Sequence, residues 1–207
     1  MLRQVSVTAN LLISGCFPIL VGGLPAPGPS SVLQPVLEPV PVIVETTGGT
    51  VCNGVRLNAR TIATAAHCVS DGTTITVLEL GITRSVANDV SHPGYTVLPA
   101  SQAAGVDLAK LTVGAFDARI GQVAIRPIQA RPVEIRVLTR SGQYRDITCG
   151  FLGQSASLVE LTCPVELGWS GAPVVQDGAL VGILSARGRV QSVDIVQVAD
   201  AMGLQTF

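Results

Sequence analysis

The chain has 207 residues, a formal net charge of −1 and only 3% aromatic residues. It lacks the basic stripe and the aromatic platforms of nucleic-acid-binding proteins, which argues against a nucleic-acid partner. The length allows one large domain or two small lobes around a substantial core. With 47% hydrophobic residues, 22 glycines and 13 prolines, the composition is typical of short strands joined by tight turns.

Residues 1–23 have the features of an export signal, because Arg3 supplies a positive charge ahead of an apolar run at 11–24. The run is too short to span a bilayer as a helix, which takes about 20 residues. The segment ISGC at 13–16 is similar to a bacterial lipobox, in which the cysteine is lipidated after cleavage, so Cys16 is a candidate for lipidation and for a membrane tether. A secretory peptide with an incidental cysteine, or an N-terminal tail, is the alternative. We expect an exported protein: secreted, periplasmic or at the cell surface.

Residues 24–41 contain six prolines and almost no charge. That composition predicts an extended, semi-rigid linker between the signal and a folded domain. A short propeptide that packs on the domain is the alternative. The folded domain is predicted to occupy residues 42–207.

This domain alternates short β-rich runs with Gly, Asn or Asp turns, a pattern that suits small antiparallel barrels. Near the C-terminus, apolar residues at 193–202 recur at helical spacing and end at Gly203, which predicts a helix at about 193–203. The predicted strands lie at 42–45, 51–57, 61–66, 73–80 and 107–113, and then at 133–139, 143–151, 157–163, 172–176, 180–184 and 189–193.

One turn of the sequence has a hydroxyl at its centre: residues 168–173 read GWSGAP, with Ser170 between two glycines. Glycines on both sides let the backbone turn sharply and approach a substrate closely. Such a turn can also aim consecutive N–H groups at one point, as stabilising an oxyanion requires. Most serines in Gly-rich turns have no further role, so a nucleophilic Ser170 requires a base and a carboxylate elsewhere in the chain.

Residues for both roles are present. Of the two histidines, His67 lies in the segment TAAHC at the end of an apolar run, whereas His92 is interpreted as a structural loop residue. Asp107 begins the apolar run at 107–113, where a charge is costly to bury unless it is hydrogen-bonded.

With these residues in place, the chain resembles the trypsin/chymotrypsin-like serine proteases. In that family a T/S-A-A-H-C segment carries the base, a D-h-A-x-L segment carries the orienting aspartate, and G-x-S-G-x-P carries the nucleophile. Here the three motifs are TAAHC at 64–68, DLAKL at 107–111 and GWSGAP at 168–173. They follow one another in the family order.

The resemblance implies an all-β fold of two six-stranded antiparallel β-barrels followed by a short C-terminal helix. Barrel one would span about 42–120 and barrel two about 131–193. The resemblance also implies that His67 is the base, Asp107 orients it and Ser170 attacks. The backbone N–H groups of Gly168 and Ser170 would form the oxyanion hole.

Further positions take roles from the same resemblance. Ser185 matches a serine that supports the aspartate, with a plain strand serine as the alternative. Pro164 and Val165 stand at the floor of the specificity pocket, where no acidic residue occurs, so a trypsin-like preference is disfavoured and a small or hydrophobic side chain is expected. Arg187, with Arg189, could instead attract an acidic side chain of the substrate.

Trp169 stands at the position where trypsin-like zymogens carry an aspartate. We expect its ring to be buried behind the loop that carries Ser170.

Four of the five cysteines are predicted to form two disulfides. The family places a partner for the cysteine beside the base at the position of Cys52, which implies the pair Cys52–Cys68. Cys149 and Cys163 bracket a segment with turn residues, so a bond across a hairpin is expected. Four reduced, buried cysteines are the alternative, whereas disulfides indicate an oxidising compartment.

The function implied by these residues is that of a serine endopeptidase acting on protein or peptide substrates through an acyl-enzyme. No cofactor is expected, and two histidines with scattered cysteines give no metal-ligand spacing. A non-catalytic binding module on a protease fold is one alternative, and a serine esterase or acyltransferase is the other. Nothing in the sequence specifies an oligomeric state.

Overall fold

The folded chain consists of two closed antiparallel β-barrels with six strands each. The computed structural model describes residues 36–98, 100–116, 121–190 and 193–207. The predicted export signal, Cys16 and most of the predicted linker lie outside these residues. In the described ranges, no helix is long and apolar enough to cross a membrane. The two barrels confirm the predicted fold class.

Barrel one has the strands β1 Pro41–Glu45, β2 Val51–Arg56, β3 Thr61–Thr64, β4 Thr74–Val77, β5 Ile82–Ser91 and β6 Ala109–Val113. They pair in the order β1-β2-β3-β6-β5-β4. The strands form because β-branched residues alternate between core and surface. In β4, for example, Ile75 and Val77 are buried, whereas Thr74 and Thr76 are partly exposed.

Barrel two has the strands β7 Val133–Leu138, β8 Tyr144–Ser155, β9 Leu158–Thr162, β10 Pro173–Gln176, β11 Ala179–Val190 and β12 Val193–Asp200. It repeats the arrangement of barrel one, with the order β10-β11-β12-β9-β8-β7. Val159 and Leu161 of β9 are fully buried, and the residues on either side of them are partly exposed.

Helices are short and occur where strands end. The α-helix α1 covers Ala100–Ala103, and the 3₁₀ helices cover Ala66–Cys68, Leu78–Leu80, Ala104–Val106 and Ala201–Gln205. The chain therefore ends in a short helix, but the predicted helix at about 193–203 is wrong over most of its length. Residues 193–200 form β12, because pairing with β11 and β9 closes barrel two and buries Val196 and Val198 on one face.

An apolar interface joins the barrels. The core of barrel one continues into Leu180 and Ile183 of β11 and Ala199 of β12. Nearby, the 3₁₀ turn Ala104–Val106 packs so tightly on barrel two that a Cβ added to Gly105 would lie 2.7 Å from the Ser157 Oγ atom. This packing positions Asp107, the next residue after the turn, at the junction of the barrels.

The end of the predicted linker lies against the domain. The N–H of Leu37 donates to the carbonyl of Gln122 at 3.1 Å, and Arg136 forms an ion pair with Glu38 at 3.3 Å. These contacts extend the folded part of the chain to the N-terminal side of residue 42.

Candidate active site

His67 projects from the 3₁₀ turn Ala66–Cys68, which follows β3. A disulfide fastens this turn to β2, since Cys68 is bonded to Cys52 sixteen residues earlier. Closing a loop of that length stabilises the fold by about 3 kcal/mol in the chain-entropy model. The bond confirms the predicted pair, and it holds the backbone of His67 against barrel one.

The Asp107 carboxylate receives two hydrogen bonds from His67. The ring Nδ1 atom lies 2.6 Å from Oδ2, and the backbone N–H donates to Oδ1 at 3.0 Å. The Asp107 side chain is 5% exposed, whereas that of His67 is 37% exposed. The buried carboxylate therefore fixes the ring from behind and leaves the imidazole accessible to solvent.

A third group completes the shell around Asp107. The Ser185 hydroxyl, from β11, donates to Oδ2 at 2.6 Å. Burial alone raises the pKa of the Asp107 carboxyl, but the hydrogen bonds and charge of His67, with the Ser185 hydroxyl, together hold that pKa below its usual value. Asp107 is therefore a carboxylate at neutral pH, although it is buried between the barrels.

Ser170 lies in a turn whose backbone conformation favours glycine on either side of it. Gly168 has φ +89° and Gly171 has φ +82°, both in the left-handed region. The N–H of Gly171 donates to the Leu184 carbonyl at 2.7 Å, which ties the turn to β11. The ring of Trp169 is buried in the core of barrel two, as predicted.

The structure links Ser170 to the Asp107–His67 pair through Ser185. The Ser170 Oγ atom lies 3.5 Å from the Ser185 carbonyl, a long contact, and within the described ranges no hydrogen bond joins it to the His67 ring. Catalytic hydrogen bonds are often long before substrate binds. The contact places the Ser170 hydroxyl beside the same residue that holds Asp107.

Two backbone N–H groups of this turn are unpaired. Among the hydrogen bonds of the described residues, neither the N–H of Gly168 nor that of Ser170 has a protein acceptor, whereas the N–H of the intervening Trp169 turns to the Glu166 carbonyl at 3.4 Å. Backbone donors that the fold leaves unpaired are available to a ligand oxygen.

Beside Ser170 is a small cavity of about 60 Å³. Val165 lines this cavity, whereas Pro164, the other residue expected at the floor of a specificity pocket, is exposed and lies outside the lining. The side chain of Arg187 lies outside the described part of the chain. The lining residues are Val165, Glu166, Leu167, Gly168, Ser170, Leu184, Ser185 and Ala186.

Glu166 was not predicted to lie at this cavity. Its carboxylate forms an ion pair with Arg145 at 3.6 Å, and both side chains are about half exposed. The sequence signal that could have found it is its position two residues before Gly168, next to the turn that carries Ser170. Because the pair is solvated, its charges are largely screened.

Larger cavities continue the cleft on both sides of Ser170. One, of about 300 Å³, contains His67, Tyr95 and Gln197 and shares Ser185 and Ala186 with the small cavity. The other, of about 370 Å³, contains Arg140 and Arg145 and shares the stretch 166–168 with it. The shared residues place the small cavity, which Ser170 lines, between the two larger ones.

The remaining predicted residues have structural contacts. Cys149 and Cys163 form the second predicted disulfide, with their Cα atoms 4.9 Å apart. His92 accepts a hydrogen bond from the N–H of Gly94 at 3.0 Å and packs edge-on against the Phe207 ring.

One group of side chains has the composition of a metal site. The ligand atoms of Cys52, His67 and Cys68 lie within 4.8 Å of one another. The two sulfur atoms form a disulfide, however, so neither is available as the thiolate that binds a metal.

The lowered pKa of Asp107 predicts how stability depends on pH. A group whose pKa is lower in the folded state stabilises the fold above its unfolded pKa of about 3.9, and this contribution is lost as the pH falls through the folded value. We expect Asp107→Asn to lower the free energy of unfolding by about 1 to 3 kcal/mol at pH 7. The difference from the wild type should shrink below pH 4 in urea titrations, and a difference that stays constant down to pH 2 would contradict the assignment.

Comparison with known proteins assigns the family. Residues 52–183 match the model of the trypsin-like peptidase domain. That match covers more than half of the chain and includes His67, Asp107 and Ser170. A comparison with curated proteins finds no match. With its two barrels and this match, the chain belongs to the family of trypsin-like peptidase domains.

Proposed function

We propose that the protein is a serine endopeptidase that hydrolyses peptide bonds through an acyl-enzyme. Ser170 is the nucleophile, His67 the general base and Asp107 the residue that orients the base. The observation that carries this proposal is the buried Asp107 carboxylate bonded at 2.6 Å to an accessible His67 ring. A buried carboxylate beneath an exposed imidazole fixes the ring tautomer, as general-base catalysis requires.

The chemistry would begin with attack of the Ser170 Oγ atom on a peptide carbonyl carbon while the His67 Nε2 atom takes the hydroxyl proton. The N–H groups of Gly168 and Ser170 would hold the resulting oxyanion, each contributing about 3 kcal/mol to the barrier reduction. The C–N bond then breaks, and His67 returns its proton to the departing amine. A water molecule, activated by the same imidazole ring, then hydrolyses the acyl-enzyme ester and frees the Ser170 hydroxyl. Throughout, Asp107 stabilises the imidazolium and stays ionised.

The small cavity beside Ser170 predicts which residue precedes the cleaved bond. Its volume of about 60 Å³ and the side chains of Val165, Leu184 and Ala186 suit a small apolar group such as that of alanine or valine. We expect kcat/KM to be about tenfold to a hundredfold higher for these residues than for arginine, lysine or phenylalanine. Cleavage of a peptide library, read by mass spectrometry, measures this preference. A dominant preference for glutamate or aspartate would contradict it and would instead favour recognition by Arg187.

The two alternative functions are separated by substrate class. A binding module would cleave neither amides nor esters, and an esterase would hydrolyse simple esters without cleaving peptides. Matched peptide amides and esters of the same sequence, assayed with the full chain and with Ser170→Ala, distinguish the three cases. Peptide cleavage that disappears in the variant supports the proposal.

We also propose that the protein works in an oxidising compartment. Its two disulfides are typical of exported proteins and support this proposal. Export through residues 1–23, and a membrane tether at Cys16, remain predictions from the sequence.

A further inference from the structure

Asn53 is a buried amide at the junction of the two barrels. It lies in β2, immediately after Cys52, and its exposure is 0%. Its Oδ1 atom accepts the N–H of Leu138 at 2.7 Å, and its Nδ2 atom donates to the Leu138 carbonyl at 3.2 Å and the Gly168 carbonyl at 3.0 Å. Both N–H bonds of the amide are thereby used, one on the end of β7 and one on the turn that carries Ser170.

The backbone of Asn53 holds the same turn. Its N–H donates to the Ser170 carbonyl at 2.7 Å, and its carbonyl accepts the Thr64 hydroxyl at 2.6 Å. Asn53 therefore binds the carbonyls of Gly168 and Ser170. Within the turn that carries Ser170, these are the same two residues whose N–H groups have no acceptor among the described hydrogen bonds.

We propose that Asn53 is a positioning residue for the oxyanion site, an inference that rests on the proposed function. The N–H and the carbonyl of one residue belong to peptide units on either side of its Cα atom. Anchoring the carbonyl unit restricts rotation about that Cα and so restricts the direction of the N–H. Gly168, with φ +89° and no Cβ, has little intrinsic restriction and depends on such an anchor.

The position of Asn53 also couples the nucleophile to the base. Cys52 is bonded to Cys68, which adjoins His67, and Asn53 binds the turn that carries Ser170. Two consecutive residues of one strand thus fasten the base from barrel one and the nucleophile from barrel two. Positioning within about 1 Å is worth up to about a hundredfold in rate.

The test compares wild type with Asn53→Ala, which keeps the backbone bond to Ser170 and removes the amide. We expect kcat to fall by about tenfold to a hundredfold, while KM changes by less than about threefold. The inhibition constant of a peptide trifluoromethyl ketone, whose hemiketal oxygen occupies the oxyanion site, should rise by the same factor as kcat falls. With the ketone labelled at its carbonyl carbon, NMR should show a higher pKa for the hemiketal bound to Asn53→Ala than for the hemiketal bound to the wild type.

Asn53→Ser gives a second, more conservative variant, because it leaves a single hydroxyl donor and a smaller void than alanine does.

Gln176→Ala is the matched control. Gln176 is another buried amide, which accepts the N–H of Gln129 at 2.9 Å and donates to the carbonyl of Gln129 at 3.2 Å, but it lines none of the three cleft cavities. This variant should lose stability and keep the wild-type kcat and hemiketal pKa.

The outcomes separate the inference from the proposed function. If both Asn53 variants lose stability as Gln176→Ala does but retain kcat and ketone affinity within about twofold, Asn53 is only a structural amide and the inference is overturned. If the wild type neither cleaves peptides nor binds the ketone, the proposed function fails and the inference fails with it.

Discussion

Replacement of Ser170 by alanine is expected to lower kcat/KM for a peptide substrate by about 10⁴-fold or more, because the variant lacks the hydroxyl that becomes acylated in the proposed mechanism. The change removes one oxygen atom whose protein contact, to the Ser185 carbonyl, is long at 3.5 Å. We therefore expect the free energy of unfolding to change by less than about 0.5 kcal/mol. Steady-state kinetics and urea unfolding of the same preparations measure both quantities.

Ser155→Ala provides the control for this variant. Ser155 is an exposed serine of β8, outside the cleft cavities, so both activity and stability should match the wild type. A Ser170→Ala protein that retains more than about a tenth of the wild-type kcat/KM would show that Ser170 is not the nucleophile.

The second large effect is expected for Gly171→Ala, because the packing around Gly171 leaves no space for a Cβ atom. An added Cβ would lie 2.0 Å from the Asn53 carbonyl oxygen and 2.3 Å from the Thr64 Oγ1 atom, and φ is +82°. The turn must move away from barrel one to admit the methyl group. We expect Gly171→Ala to lower the free energy of unfolding by about 3 kcal/mol or more and to lower kcat as well, since Ser170 moves with the turn. Urea unfolding and kinetics test this.

Gly178→Ala isolates the steric part of that effect. Gly178 also has a positive φ, +72°, but no atom lies within 4 Å of the position of an added Cβ. Its replacement by alanine should lower the free energy of unfolding by about 1 kcal/mol, because a residue with a Cβ atom must then adopt a left-handed backbone conformation. The substitution should leave kcat unchanged. Equal destabilisation by the two substitutions would contradict the close packing of Gly171 on β2.

Much of the fold could be predicted because its strands have one apolar face. For β5 and β12, however, the pattern of apolar residues did not identify a strand. Residues 82–91 form β5 with mostly exposed, polar side chains, so no alternation marked the strand. It forms because β4 and β6 need a partner to close barrel one. Over 193–200, valines spaced for a helix also fit one face of a strand, and the neighbouring strands decide between the two.

The candidate site also contains some residues that could be predicted from the sequence and others that could not. His67, Asp107 and Ser170 were predicted because motif and order are properties of the sequence. Glu166 was not predicted, although it lies only two residues before Gly168. Asn53 was not, because its side-chain partners come from distant segments. Asn53 had one visible signal, a polar amide within the apolar strand VCNGVR, where burial requires partners. Its partners, Leu138 and Gly168, lie 85 and 115 residues away.

In the proposed mechanism, His67 activates the Ser170 hydroxyl in the folded protein. A fluorophosphonate probe, which reacts with activated serine hydroxyls, tests it most directly when labelling is followed by intact-mass measurement and peptide mapping. We predict a single adduct, on Ser170, that is absent from His67→Ala and from urea-unfolded protein. A folded wild-type protein that gains no adduct, or gains it on another residue, would contradict the account.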